Sequence, residues 1–138
     1  MNERVEVDVP SILQKDGVKS NSLFESNQEV VSLEHILSNS PEPSWSYRVI
    51  DTDSNSATII CQNPGEGNRE HYHPDWNEWW YILDGEWEWF VEGKTTRVKK
   101  GDFVLIKKGL RHKITAVGDK PAMRLAVSRA DVEHVYAI

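Results

Sequence analysis

Three histidines and one glutamate stand close enough in the sequence to build a metal site. His71 and His73 are separated by one residue, Glu78 follows five positions later, and His112 lies further along. In an extended strand, residues i and i+2 point to the same face, so His71 and His73 can aim two imidazoles at one point. Pro74 and Asp75 then break the strand, Glu78 restarts the next one, and His112 enters after the turn-like Lys108-Gly109-Leu110-Arg111. Three neutral imidazoles and a carboxylate suit a divalent transition metal, with bonds of about 2.0–2.2 Å. Iron(II) is the first expectation, and zinc, nickel or manganese would take the same donors. The other histidines, His35 and His134, match no such pattern and read as structural or solvated.

The elements that must carry these residues are strands. From Trp45 onward, short apolar runs alternate with turn residues. Ser46 to Ile50, Ala57 to Gln62, Phe103 to Ile106, His112 to Val117 and Met123 to Ser128 read as strands. Trp79 to Leu83, Asp84-Gly85 and Glu86 to Val91 read as a hairpin, because Asp-Gly suits a tight type I′ turn. Many short strands with turns between them predict an all-β sandwich or barrel. Val5, Val7 and Val9 alternate with acids and end at Pro10, a further strand signal. The stretch from Glu29 to Leu37 fits either a short strand or a helical turn. Residues 1–40 are polar and weakly patterned, an N-terminal arm expected to pack on the barrel or on a partner. Residues 41–138 form the expected barrel with a short C-terminal tail.

The two spaced groups of residues resemble the motifs of the cupin superfamily. The first runs Gly65, five residues, His71-Tyr72-His73, four residues, Glu78, six residues, Gly85. The second runs Gly101, five residues, Lys107, Lys108, Gly109, two residues, His112, three residues, Ala116. The family places Pro at the position of Lys107 and Asn at that of Ala116. Neither is a metal ligand in the family pattern, so all four donors are kept. The resemblance covers residues 65–116 by motif and about 45–128 by strand pattern. It implies a small single-domain cupin, with a jelly-roll β-barrel (a double-stranded β-helix) and His71, His73, Glu78 and His112 as metal ligands.

The composition holds one anomaly. Of six tryptophans, Trp76, Trp79, Trp80, Trp87 and Trp89 crowd the same stretch as the first motif. In the expected hairpin, Leu83 faces Glu86, Ile82 faces Trp87, Trp80 faces Trp89, and Glu78 faces Val91. Opposed residues share a face. If Glu78 binds the metal, that face is the interior, with Trp80 and Trp89 nearest the metal and Trp87 deeper. These three either fill the barrel or form the wall of a pocket for a small-molecule substrate. The opposite face carries Trp79, Tyr81 and Phe90. Trp79 and Phe90 would expose apolar surface, and small cupins commonly dimerise, so the resemblance and the patch together imply a homodimer. Arg48, Arg97, Arg111 and Arg124 could anchor a substrate anion, although arginines more often form surface or ion-pair contacts.

Bulk properties bound the rest. The chain has 138 residues, one domain's worth, with 38% hydrophobic and 28% charged residues, too apolar for disorder. It lacks an apolar run long enough to span a membrane. A net charge of −6 argues against nucleic acid or an anionic membrane as partner. That average hides a basic stretch over residues 94–129 and an acidic remainder, two segments expected to lie side by side. Cys61 is the only cysteine, and the first residues lack a signal-peptide pattern, which together point to the cytoplasm.

Three functions fit. The first is a mononuclear non-haem iron oxidoreductase of dioxygenase type, whose four protein donors would leave two octahedral positions for substrate and dioxygen. The second is a non-redox lyase, isomerase or hydrolase using the metal as a Lewis acid on a small carboxylate or sugar. The third is a non-catalytic small-molecule-binding cupin. No catalytic acid or base stands out among the residues.

Overall fold

The computed structural model describes residues 3–6, 18, 20–21, 24–129 and 134–137. The described residues form twelve strands and one short helix: β1 (Glu3–Glu6), β2 (Ser20–Asn21), α1 (Leu33–Ser38), β3 (Trp45–Asp51), β4 (Ser56–Gln62), β5 (His71–Tyr72), β6 (Glu78–Asp84), β7 (Glu86–Val91), β8 (Lys94–Lys99), β9 (Phe103–Ile106), β10 (His112–Val117), β11 (Ala122–Ser128) and β12 (His134–Ala137). They form two six-stranded sheets, ordered β1-β12-β5-β10-β7-β8 and β2-β3-β4-β11-β6-β9. From β4 to β7 each successive strand changes sheet, as the expected jelly roll requires. Residues of the expected arm and tail lie within the sheets: β1 pairs with β12, β12 with β5, and β2 runs parallel to β3. The valine alternation after Glu6 lies outside the described residues.

The expected β6–β7 hairpin is not formed. β6 lies in the second sheet between β11 and β9, and β7 lies in the first between β10 and β8. A type I′ turn needs positive φ at both central residues. Gly85 has φ +73°, but Asp84 does not share that conformation and still belongs to β6, opposite Met123. The chain crosses between the sheets at Gly85 instead. The two-residue I′ pattern occurs at Glu92 (φ +46°) and Gly93 (φ +83°), between the paired Val91 and Lys94 that close the β7–β8 hairpin.

The inward set survives this change of partner, because alternation is a property of each strand. Glu78, Trp80 and Ile82 of β6 and Trp87 and Trp89 of β7 are buried, while the residues between them are not. The two tryptophan rows meet across the sandwich, Trp80 standing edge-on to Trp89 with 5.2 Å between ring centroids. Trp87 lies opposite the small Ala116 in the β7–β10 ladder, and both are fully buried. This explains how alanine stands at the Asn position of the second motif: its neighbour needs the volume.

The second sheet also buries its outer face. Trp45, Tyr47, Ile59, Cys61 and Met123 form a separate core with Ile36 of α1, and Phe24 and Val31 pack against it. The undecided stretch is thus helical over Leu33–Ser38. Ser32 caps it by accepting from the His35 N–H (3.1 Å), and Ile36 is its buried residue. Residues 24–31 are stitched to β3. The Tyr47 hydroxyl donates to the Glu25 carbonyl (3.0 Å), the Asn27 N–H donates to the Val49 carbonyl (2.9 Å), and the Asp51 N–H donates to Asn27 Oδ1 (2.8 Å).

This cover ends before the sheet does. On β6 and the edge strand β9, Trp79 is 42% exposed, Phe103 74% and Leu105 56%. Phe90, on the other sheet, is half-buried, with the Lys113 ammonium 5.7 Å from its ring centre. The acidic and basic segments meet through Arg97–Glu86 (3.3 Å) and Lys120–Asp84 (3.1 Å). Among the described residues, no helix is long and apolar enough to cross a membrane.

Candidate metal centre

The four residues picked out by spacing come from both sheets and meet at one end of the sandwich. His71 opens β5 and His112 opens β10, and the two are directly paired in the first sheet. His73 follows β5 in a loop tied to the second motif by the Gly109 N–H, which donates to the His73 carbonyl (2.7 Å). Glu78 begins β6 in the opposite sheet. The imidazole rings lie 4.4 Å (His71–His112), 5.0 Å (His73–His112) and 5.1 Å (His71–His73) apart. One nitrogen from each falls within 4.8 Å of the others, close enough to converge on one ion. Glu78 Oε1 is 3.3 Å from His73 Nε2, and Glu78 Oε2 accepts from the Trp80 indole N–H (2.6 Å).

Two of the imidazoles are oriented by the same local device. His71 Nδ1 lies 2.6 Å from the Arg69 carbonyl, and His112 Nδ1 lies 2.9 Å from the Leu110 carbonyl. A ring that donates from Nδ1 presents the Nε2 lone pair, the usual way a metal-binding histidine is aimed. His112 Nε2 is buried and has no hydrogen-bond partner among the described residues, a state that is costly unless something else fills that position. Burial pushes the His112 pKa down to about 4. The Leu110 carbonyl and Glu78 oppose that shift, and neighbouring His73 reinforces it. The ring is therefore neutral near pH 7 and competent as a ligand, so the donor set fits a divalent metal.

The same burial has a measurable cost in metal-free protein. A folded pKa of about 4 lies below the ordinary value of 6.5. The unfolded chain then takes up a proton that the folded chain refuses. The stability held above pH 6.5 should fall as pH drops toward 4, by up to about 3 kcal/mol. Urea unfolding of chelated protein at pH 7 and pH 5 measures this. The pH dependence should shrink in His112→Gln, and an unchanged dependence in that variant would contradict the assignment.

A small polar recess, with about 30 Å3 of free space, opens beside the histidines. His71, Glu78 and Trp80 line one part, and Arg48, Ser56, Thr58, Ser128 and Ala126 line another. Of the three expected interior tryptophans, Trp80 forms wall. Trp89 stands against His112 with ring centroids 5.3 Å apart, and Trp87 is fully buried, its indole N–H without a partner among the described residues.

The four arginines separate clearly. Arg97 pairs with Glu86 on the surface, and Arg111 lies over Tyr72 at 5.3 Å. Arg124 is buried, donating to Gln62 Oε1 (2.8 Å) and stacked against Trp80 (5.1 Å) and Trp87 (4.6 Å). Arg48 and Arg124 both line the recess, Arg124 against Trp80 and Arg48 further along the sheet. Sequence reasoning missed Ser56, Thr58 and Gln62. Their signal was available in β4, where three of the four positions on one face, Ser56, Thr58 and Gln62 but not Ile60, are polar. Cys61 is no nucleophile: burial, with Asp84 and Glu66 nearby, raises its thiol pKa to about 11.

Comparison with known proteins agrees with this architecture. The chain is 34% identical over 59 residues to the tetracenomycin polyketide synthase protein TcmJ of Streptomyces glaucescens, covering 43% of this chain and 40% of that one. It is 36% identical over 64 residues to the polyketide synthase CurC of Streptomyces cyaneus, covering 46% and 42%. The chain thus spans about two fifths of the length of these curated relatives. A conserved Klebsiella pneumoniae protein with a double-stranded β-helix domain superposes with a TM-score of 0.67 at 21% identity, covering 81% of this chain and all of that one, a likeness of fold. Residues 58–128, half of the chain, match the Cupin domain family. With both motifs, the double-stranded β-helix and this match in agreement, the chain belongs to the cupin family.

Proposed function

We propose that this chain is a metal-dependent enzyme acting on a small carbonyl-bearing molecule by non-redox chemistry of the lyase, isomerase or cyclase type. The observation that carries this reading is the convergence of three buried histidines and Glu78 at the end of a polar, solvent-open recess. His71, His73, Glu78 and His112 would hold the ion. A divalent ion bound there supplies Lewis acidity toward a carbonyl and, as iron(II), redox capacity toward dioxygen as well. The Arg69 and Leu110 carbonyls orient His71 and His112. Glu78 is the one carboxylate among the described residues lining the recess, and the Trp80 N–H fixes its second oxygen. On leaving the ion, Glu78 would be the group placed to take and return a substrate proton.

The second reading is the iron-dependent dioxygenase. The donor set itself favours it, since imidazole and carboxylate suit iron(II) as well as zinc, nickel or manganese. The two curated relatives named for polyketide synthases support placing the non-redox reading first, because a polyketide is rich in carbonyl groups. Elemental analysis of protein purified without an affinity tag, paired with an oxygen electrode, separates the two. Non-redox chemistry predicts about one metal ion per chain and no oxygen uptake with keto acids or aromatic acids. Iron with substrate-dependent oxygen uptake would replace it by the second reading. Protein that takes up no metal would leave a binding module. The single buried thiol of Cys61 suits a reducing cytoplasm as the place of reaction.

The same proposal includes a homodimer. Trp79 pairs with Leu105 and Tyr81 with Phe103 across β6–β9. Because β9 is the sheet's edge among the described residues, its apolar side chains and outer backbone groups are presented together. Light scattering at micromolar concentration should give twice the chain mass, and Phe103→Asp with Leu105→Asp should halve it. Monomeric unmodified protein would reject the dimer.

A further inference from the structure

We propose that Arg48 is an anion-binding subsite, and that the molecule handled by this chain carries a carboxylate at the end remote from the histidines. This rests on the reading of the recess as the substrate site. Register across the second sheet sets Arg48 of β3 beside Thr58 of β4, Thr58 beside Ala126 of β11, and Ala126 beside Trp80 of β6. All four line the recess. Its floor therefore runs from a cation through a hydroxyl and a methyl group to an indole, on which the second lining guanidinium, the buried Arg124, is stacked and held by Gln62. Three strand spacings separate the ends, about 14 Å between backbones.

Three features make this row a subsite. Arg48 Nε donates to Thr58 Oγ1 (3.3 Å), which leans the guanidinium inward along the row and leaves its terminal nitrogens for a ligand. Among the described residues, no carboxylate pairs with Arg48, and the lining side chains near it are the hydroxyls of Ser56, Thr58 and Ser128. The carboxylate that does line the recess, Glu78, is engaged at the other end by His73 and Trp80. A planar guanidinium matches a carboxylate with two parallel N–H···O bonds. Ala126, the smallest side chain of the row, separates Thr58 from Trp80, so an apolar body held by Arg48 would lie over its methyl group toward the indole. Such a ligand is a small carboxylate bearing a ring or short chain, drawn into a chain of net charge −6 by a local cation.

Intrinsic tryptophan fluorescence and titration calorimetry on chelated protein test this with benzoate, phenylacetate and 4-oxopentanoate, and with benzamide as the neutral control for benzoate. At least one carboxylate should bind below about 10 mM, and benzamide should bind about tenfold more weakly than benzoate if benzoate is that ligand. Arg48→Gln should weaken carboxylate binding about tenfold, with Arg48→Lys intermediate and the surface control Arg97→Gln unchanged, while thermal melting of all three matches the parent. Equal binding by Arg48→Gln, equal binding of benzoate and benzamide, or no binding of any carboxylate would each overturn the subsite. Chelated protein isolates this from the metal: a chain that takes up no metal yet loses carboxylates on Arg48→Gln would refute the enzyme reading and keep the subsite.

Discussion

Replacing His73 or His112 by alanine is expected to reduce the metal content of the purified chain from about one ion to a small fraction of one. Both rings are fully buried, and His112 Nε2 finds no partner among the described residues. Losing even a group that merely orients a ligand costs metal sites ten- to a hundredfold in affinity, and removing a donor exceeds that. Glu78→Gln should also lower metal content, because its single amide oxygen can replace only one of the two carboxylate oxygens that face His73 and accept from the Trp80 indole N–H. The loss must be distinguished from unfolding. The rings pack against Trp89 and Trp80 at 5.3 and 6.3 Å from His112, so near-ultraviolet circular dichroism reports whether the tryptophan cluster survives. Full metal content in both alanine variants, with the cluster intact, would remove the site from these residues.

Gly85→Ala should lower stability by about 3 kcal/mol or more, roughly 10 °C in melting temperature. Two costs combine there. The φ of +73° is unfavourable for any residue with a Cβ, and that atom would stand 2.7 Å from both Cα and Cβ of Ala122, where backbone must move to make room. Gly93→Ala is the matched control. Its φ is +83°, but nothing lies within 4 Å of the added atom, so only the conformational cost of about 1 kcal/mol remains. Equal melting temperatures for the two variants would show that the crossing at Gly85 is not as tight as described.

The contrast between these glycines also shows what the sequence could and could not reveal. Strands β7, β9 and β10 are legible to the residue, because alternation and flanking turns are local properties. The convergence of His71, His73, Glu78 and His112 is legible because strand parity and motif spacing survive any choice of pairing. The partner of β6 is not legible. Asp84-Gly85 and Glu92-Gly93 are both acid–glycine pairs, and what distinguishes them, the close approach of Ala122 to Gly85 and open space at Gly93, comes from distant segments. The recess floor is hidden for the same reason, since Arg48, Thr58, Ala126 and Trp80 become neighbours only through ladders joining distant segments. The second core is hidden as well: Trp45, Tyr47, Ile59 and Met123 look outward until residues 24–38 cover them.

The alternation of strands between sheets has a kinetic consequence. Local ladders such as β3–β4 and β7–β8, each closed by a short turn, can form without waiting for the rest of the chain. Every ladder that builds the metal end is remote in sequence, including the pairing of His112 with His71 and of Glu78 with Ile106. Remote pairings carry the loop-closure cost before any contact compensates it, so this topology belongs with the slow folders of the millisecond-to-second range. The four donors therefore come into register late. During refolding, the nascent hairpins should exist before there is anything for an ion to bind, and chemistry is the last property the chain acquires.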